Sequence, residues 1–222
     1  MSISTEALRP GLRDAAKRLL LPLSETETDA LLAYLTLLQR WNATYNLTAV
    51  RDPAQMLTQH LADCLAVIAP LRREVGDRTG DHECRVLDVG SGGGLPGIVI
   101  AILNPAYRVT CVDAVGKKAA FVQQVAAELK LQNLGAVHAR VEQMKAEPFD
   151  VVTSRAFASL ADFTALTERH LGKDGRWMAM KGKPPTEELA ALPAGGEVFH
   201  VEQLTVPGLD AERCLVWMRP KS

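Results

Sequence analysis

Leu31, Leu35 and Leu38 recur at helical spacing behind Ser24 and Glu27, with Tyr34 and Trp41 beside the stripe. Serine followed three residues later by glutamate is a capping-box opening, so the pattern predicts a helix from Ser24 to Trp41. A polar break, Asn42 to Val50, follows. Asp52 as cap and Pro53 in the first turn announce the next helix, carried by Leu57, Leu61, Cys64, Leu65 and Ile68 as far as Pro70. Upstream, Arg9 to Leu21 also reads as helical, with Arg9, Arg13 and Lys17 at four-residue intervals. Such a stripe is usually a solvated face. Leu71 to Glu83 is charged and contains glycine, and beyond it the rhythm changes to short β-branched runs alternating with helical ones.

Strands are expected at Arg85–Val89, Arg108–Asp113, Ala136–Arg140, Asp150–Ser154, Arg176–Lys181, Val198–Val206 and Cys214–Met218, with helices between the first five. One of those helices carries Val122, Val125, Ala126 and Leu129 on the face that would pack on a sheet. Only Pro207 to Arg213 separates the last two strands, too short a stretch for a parallel crossover, so they form an antiparallel hairpin. The expected fold is therefore α/β: a mostly parallel, doubly wound sheet of seven strands with one antiparallel strand near its edge. An N-terminal helical extension, residues 1–80, would pack on a core formed by residues 81–222.

Composition narrows the classes. A chain of 222 residues with 47% hydrophobic content can bury one substantial core. Lys and Arg number 25 against 26 Asp and Glu, so a nucleic-acid partner would have to be met by a local patch. Cys64, Cys84, Cys111 and Cys214 lie far apart in apolar runs, without metal-ligand spacing, which suits reduced thiols and no metal site. Met1 to Gly11 has no secretory pattern, and the longest apolar run, Leu95 to Leu103, is too short to span a bilayer. A cytoplasmic protein with no membrane partner is expected.

Five of the 16 glycines fall within Gly90 to Gly97, directly after an apolar strand and before the apolar stretch Ile98 to Leu103. Glycine permits the positive φ angles of a tight strand-to-helix turn and lets a ligand approach the backbone. Two cofactor classes compete for it. From Gly92 the segment satisfies the G-x-G-x-x-G dinucleotide pattern, and Asp113 stands about 20 residues on, where a ribose-binding acid belongs, which points to an NAD-dependent oxidoreductase. From Asp88, however, Asp88-Val89-Gly90-Ser91-Gly92-Gly93-Gly94 resembles the acid-x-G-x-G-x-G signature of class I (Rossmann-like) S-adenosylmethionine methyltransferases. An acid there would repel a pyrophosphate, yet it can accept hydrogen bonds from the ammonium of a methionine moiety. Asp113 suits the ribose of either cofactor.

From Asn42 onward the chain resembles the bacterial RsmG (GidB) family. The matching stretches are Trp41-Asn42-x-x-Tyr45-Asn46-Leu47-Thr48, Asp88 to Ile98 with its Gly-Leu-Pro-Gly, Gly116-Lys117-Lys118, Arg140-Val141-Glu142, Ser154-Arg155-Ala156-Phe157-Ala158-Ser159-Leu160 and Lys181-Gly182. The resemblance implies methyl transfer from S-adenosyl-L-methionine to N7 of a guanine in the 530 loop of 16S rRNA, in the small ribosomal subunit. It further implies cofactor contacts at Gly90, Leu95, Val141, Glu142 and Arg155, alongside Asp88, Gly92 and Asp113 from the turn chemistry. Arg155 would orient the cofactor or a phosphate and is the one candidate catalytic residue. Asn46, Phe157 and Lys181 are candidate substrate contacts, each with a plainer reading: a satisfied loop asparagine, a core aromatic and a strand-end charge. His60 reads as a packed or partly exposed histidine.

The residue chemistry agrees with a ring-nitrogen target. No Asn/Asp-Pro-Pro-aromatic loop for an exocyclic amine follows the fourth strand, and no cysteine falls where a C5 nucleophile would be needed. The guanine N7 lone pair needs neither proton removal nor covalent activation. A different RNA or a small molecule as methyl acceptor is the alternative.

Overall fold

The computed structural model describes residues 5–76, 83–155, 157, 159–190 and 195–221, the side chains of residues 189 and 190 excepted. The expected boundary near residue 80, and Ala156 and Ala158 of the Ser-Arg-Ala-Phe-Ala stretch, lie outside the described residues.

A 3-10 turn at Thr5–Leu8 leads into α1 (Arg9–Arg18). Arg9 of the basic stripe pairs with Glu6, Glu25 and Asp29, and Arg13 with Glu25, so these arginines tie α1 to the start of the next helix. That helix, α2 (Glu25–Tyr45), opens on the Ser24/Glu27 capping box with both reciprocal bonds formed. It runs four residues past the expected end at Trp41. Asn42 is not a break but a buried helical residue, whose amide donates to Val50 O and whose Oδ1 accepts from Thr48 N. Asn46 terminates α2 at φ +50°, a left-handed cap that asparagine adopts more readily than other residues bearing a Cβ.

Asp52 caps α3 (Pro53–Met56) through Gln55 N, as its sequence pattern anticipates. The chain then widens into a π turn at Leu57–Ala62, tightens in α4 (Asp63–Leu65), and restarts in α5 (Ile68–Val75). Pro70 is therefore not a terminator. It sits in the first turn of α5, where its missing N–H deprives no intrahelical bond.

The seven strands are β1 (Cys84–Val89), β2 (Tyr107–Asp113), β3 (Leu134–His138), β4 (Phe149–Ser154), β5 (Leu171–Lys181), β6 (Gly196–Leu204) and β7 (Arg213–Pro220). They form one sheet in the order β3-β2-β1-β4-β5-β7-β6. Pairing is parallel from β3 through β5, while β7 is antiparallel to both β5 and β6 and is the reversed strand near the edge. The largest shift is in β5, which begins at Leu171 rather than Arg176; β3 and β6 each lie two residues earlier than expected at both ends, and β7 runs on to Pro220 rather than Met218. The connecting helices are α6 (Gly97–Leu103), α7 (Gly116–Glu128), α8 (Leu160–Thr167) and α9 (Thr186–Ala190).

Both faces of the sheet are covered. Val86, Val109, Val151, Met178 and Trp217 join α6, α7 and the N-terminal helices in one apolar cluster, so that Leu12, Leu31, Leu35 and Leu61 share a core with the strands. Leu87, Val112, Val152, Trp177 and Val216 face the other way, toward Leu160 and Phe163 of α8. The two-residue period of the strands assigns sides: Asp88 shares the face of Val86 and therefore points beneath α6. Among the described residues no helix is long and apolar enough to cross a membrane.

Candidate active site

The glycine turn leaves β1 at the carboxyl edge of the sheet. Gly90, Gly92 and Gly94 have φ of +67°, +57° and +82°, a backbone that residues with a Cβ rarely adopt. Two side chains clamp it. Asp113 Oδ2 accepts from Gly92 N at 2.9 Å, while its Oδ1 accepts from Val115 N at 2.9 Å. On the opposite side the fully buried Tyr34 of α2 donates its hydroxyl to Gly93 O at 2.8 Å.

Asp88 is fully buried and accepts from Gly97 N through Oδ2 at 2.8 Å. Among the described residues its Oδ1 has no hydrogen-bond partner, and neither does the buried Ser91 Oγ. Burial pushes the carboxyl of Asp88 up to about 7, against the opposing pull of the Gly97 N–H and Arg155. Gly97 presses close, because a Cβ there would stand 2.9 Å from Asp88 Oδ2.

Beside the turn lies a cavity of about 270 Å³, lined among others by Gly90, Asp113, Val141, Glu142 and Phe157. A Cβ added to Gly90 would meet nothing within 4 Å, so the absent side chain leaves space continuous with the backbone. Val141 and Glu142 belong to a 3-10 turn after β3, steadied where His170 Nε2 lies 2.8 Å from Val141 O and Arg169 donates to Glu142 O at 2.9 Å. Phe157 is half-buried, its ring 5.1 Å from that of Phe163. Leu95 does not line this cavity; its side chain packs in the core with α2 and α6.

A second cavity, about 360 Å³, opens at the ends of β4, β5 and β7 and is lined by Gln59, His60, Asp63, Arg155, Lys181 and Arg213 among others. Arg155 reaches it from β4, donating to Gln59 O at 3.1 Å and pairing with Asp63 at 3.4 Å. Lys181 at the end of β5 is paired with Glu188 of α9 at 2.9 Å and donates to Phe157 O, so it is not a bare strand-end charge. The same Glu188 carboxylate accepts from Leu160 N at 2.7 Å. His60 is buried, its Nε2 2.9 Å from Thr48 Oγ1 and its Nδ1 without a hydrogen-bond partner among the described residues. Burial and the nearby Arg155 lower its pKa to about 4, so it is neutral near pH 7. Asn46 lines neither cavity; it is exposed and accepts from Arg51.

Gly90, Asp113, Val141, Glu142 and Phe157 thus converge on one cavity and Arg155 and Lys181 on the other, whereas Asp88, fully buried beneath α6, and Gly92, within the turn, line neither. Tyr34, Asp63 and Arg213 escaped the sequence reading because their partners lie tens of residues away, and Glu188 because its pairing with Lys181 requires the turn that brings α9 back over the end of β5. Tyr34 alone carried a signal: a hydroxyl on an otherwise apolar helical face needs a buried acceptor.

The model of the family described as rRNA small subunit methyltransferase G (GidB) matches residues 27–216. The chain belongs to that family. A relative named ribosomal RNA small subunit methyltransferase G, from Leptothrix cholodnii, is 62% identical over 214 residues, covering 96% of each chain. The fold is similar to that of TrmN from Thermus thermophilus, at TM-score 0.53 and 18% identity over 74% of this chain and 53% of that one. It is also similar to a SAM-dependent methyltransferase from Thiobacillus denitrificans in complex with S-adenosyl-L-homocysteine, at TM-score 0.50 and 14% identity, covering 72% and 91%. These two likenesses place the GidB-family chain among class I methyltransferase folds.

Proposed function

We propose that the protein transfers a methyl group from S-adenosyl-L-methionine to N7 of a guanine in 16S rRNA, on the small ribosomal subunit in the cytoplasm. The observation that carries the reading is the glycine turn, with open space at Gly90 and two buried polar atoms, Asp88 Oδ1 and Ser91 Oγ, that have no hydrogen-bond partner among the described residues. Buried polar atoms are normally satisfied, so orphans on a cofactor turn suit a donor-rich ligand such as an ammonium group. When bound, the sulfonium cofactor supplies an electrophilic methyl group.

Asp113 and Glu142, which both line the first cavity, would accept from ribose hydroxyls and the adenine amine, and Val141 would give the ring an apolar wall. Asp88 would accept from the methionine ammonium, with Gly92 and the backbone at Leu95 shaping the turn around it. Arg155 would orient the substrate from the second cavity, and Phe157 would close the wall between the two sites. The N7 lone pair forms the new C–N bond as the C–S bond breaks, leaving the purine cationic and the sulfur neutral. No proton moves, which suits a site whose histidine is neutral and buried. What the residues contribute is alignment and exclusion of water.

The test is transfer of labelled methyl to small subunits from cells lacking the protein, followed by mapping of cationic guanine. Label on one guanine of 16S rRNA is expected; label confined to protein or to another base would refute the assignment. Arg155→Ala is expected to abolish transfer while preserving the thermal transition.

A further inference from the structure

Asp63 is almost completely buried, its side chain 3% exposed, yet it sits between two arginines that line the second cavity. Its Oδ1 accepts from Arg213 Nε at 2.9 Å, and its Oδ2 stands 3.4 Å from Arg155 Nη1. Arg155 is further fixed by the Gln59 carbonyl and Arg213 by the Glu212 carbonyl at 2.8 Å. The three partners arrive from the π turn and α4, the end of β4 and the start of β7. A one-turn widening of a helix is a feature that recurs at functional sites, and here it presents Gln59 and Asp63 to the same cavity.

We propose that this cavity seats a phosphodiester of the RNA substrate, and that Asp63 is the positioning residue that spaces and aims the two guanidinium groups at it. The proposal rests on the reading of the protein as an RNA methyltransferase. Charge supports it. Lys181 is matched by Glu188, while two guanidinium groups face the single carboxylate of Asp63, leaving one formal positive charge for a monoanion. A phosphodiester carries one negative charge, and its oxygens suit the planar donor fork of arginine. Chemistry argues against the base itself as the occupant. Guanine becomes cationic at N7 on methylation, so two guanidinium groups at the ring would oppose the transfer, and the usual bidentate arginine contact to O6 and N7 would block the reacting atom. The two arginine side chains remain 28% and 26% exposed, within reach of an entering strand.

Binding and turnover of small subunits by the full-length wild type, Arg213→Ala, Arg213→Lys and Asp63→Asn test this. Arg213→Ala is expected to raise KM for subunits about tenfold and to make the slope of log K against log salt shallower by about one. Arg213→Lys keeps the charge but loses the fork, and Asp63→Asn keeps the shape but loses the charge. Both are expected to raise KM severalfold while the Kd for S-adenosylhomocysteine stays within about twofold. An Arg213→Ala enzyme with wild-type KM and salt slope would overturn the phosphate assignment. Wild-type KM in Arg213→Lys together with an unfolded Asp63→Asn would make Asp63 merely structural and overturn its positioning role. If the wild type methylates no subunit at all, the proposed function fails instead; intact wild-type turnover with an unmoved Arg213→Ala sinks only this inference.

Discussion

Removing one oxygen atom from Tyr34 isolates the contribution of the N-terminal helices to the glycine turn. Tyr34 is fully buried on α2, and burial drives its pKa well above the usual phenol value, so its hydroxyl is held protonated as a donor. Its acceptor, the Gly93 carbonyl 2.8 Å away, lies among three glycines in left-handed conformations. In Tyr34→Phe that carbonyl loses its partner in a closed environment, where a Cβ at Gly93 would already stand 3.3 Å from Leu38. Leaving a buried acceptor unsatisfied costs about 1–3 kcal/mol. If the turn keeps its shape, the whole cost falls on folding, and about 1 kcal/mol in a chain of this size lowers Tm by roughly 2–4 °C. If the turn loosens, part of the cost is deferred to cofactor binding, and about 1 kcal/mol weakens Kd roughly fivefold. Calorimetric titration with S-adenosylhomocysteine and a thermal melt measure the two shares, with Tyr45→Phe, half-exposed at the end of the same helix, as control. Unchanged Tm and unchanged Kd in Tyr34→Phe would refute the claim that α2 holds the turn.

Gly97→Ala is expected to destabilise by about 1–3 kcal/mol through overpacking, since the new methyl would press on Cys111 Sγ and Asp88 Oδ2; a denaturant midpoint equal to wild type would contradict it. The raised carboxyl of Asp88 binds its proton more tightly in the folded state, so its contribution to stability is fully present at low pH and falls as pH rises from the unfolded value toward about 7. Asp88→Asn should flatten that fall, seen as a smaller loss of Tm between about pH 5 and pH 7, and a wild-type pH profile in the variant would show that Asp88 is ionised throughout. Conversely, His60, with its pKa lowered to about 4, contributes stability present above the unfolded histidine value and lost as pH falls through about 4. Its ring carbons should show no NMR titration between about pH 6 and pH 8, and a midpoint in that range would mean the imidazole is better solvated than its burial implies.

The parts of the fold that local pattern dictates were legible in the chain: the capping box of α2, the cap of α3, the seven strands and the reversal forced by the short connection before β7. Boundaries moved where a residue type had two uses. Asn42 reads as a polar breaker but is satisfied inside α2 by Thr48 and Val50, and Asn46 ends the helix because asparagine tolerates the left-handed region. Pro70 reads as a stop but opens a helix instead, since the chain has already been interrupted ahead of it. At the candidate site, the tight glycine turn and the place of Asp113 beside it were legible because their spacing is local, while the ligand they would hold is a proposal. The Asp63 cluster was not, because Arg155 and Arg213 lie 92 and 150 residues away from it and nothing in a helical stripe distinguishes a carboxylate facing solvent from one facing two arginines.

The direction of β7 has a consequence for how the site can be varied. Because this strand begins beside Lys181, where β5 ends, the connection from Thr205 to Glu212 emerges on the same rim as the glycine turn. A strand running with its neighbours would have begun at the opposite rim and left that connection far from the chemistry. Changes in the length or charge of this one hairpin loop would therefore be felt on the rim that carries the glycine turn, without disturbing the strands behind it.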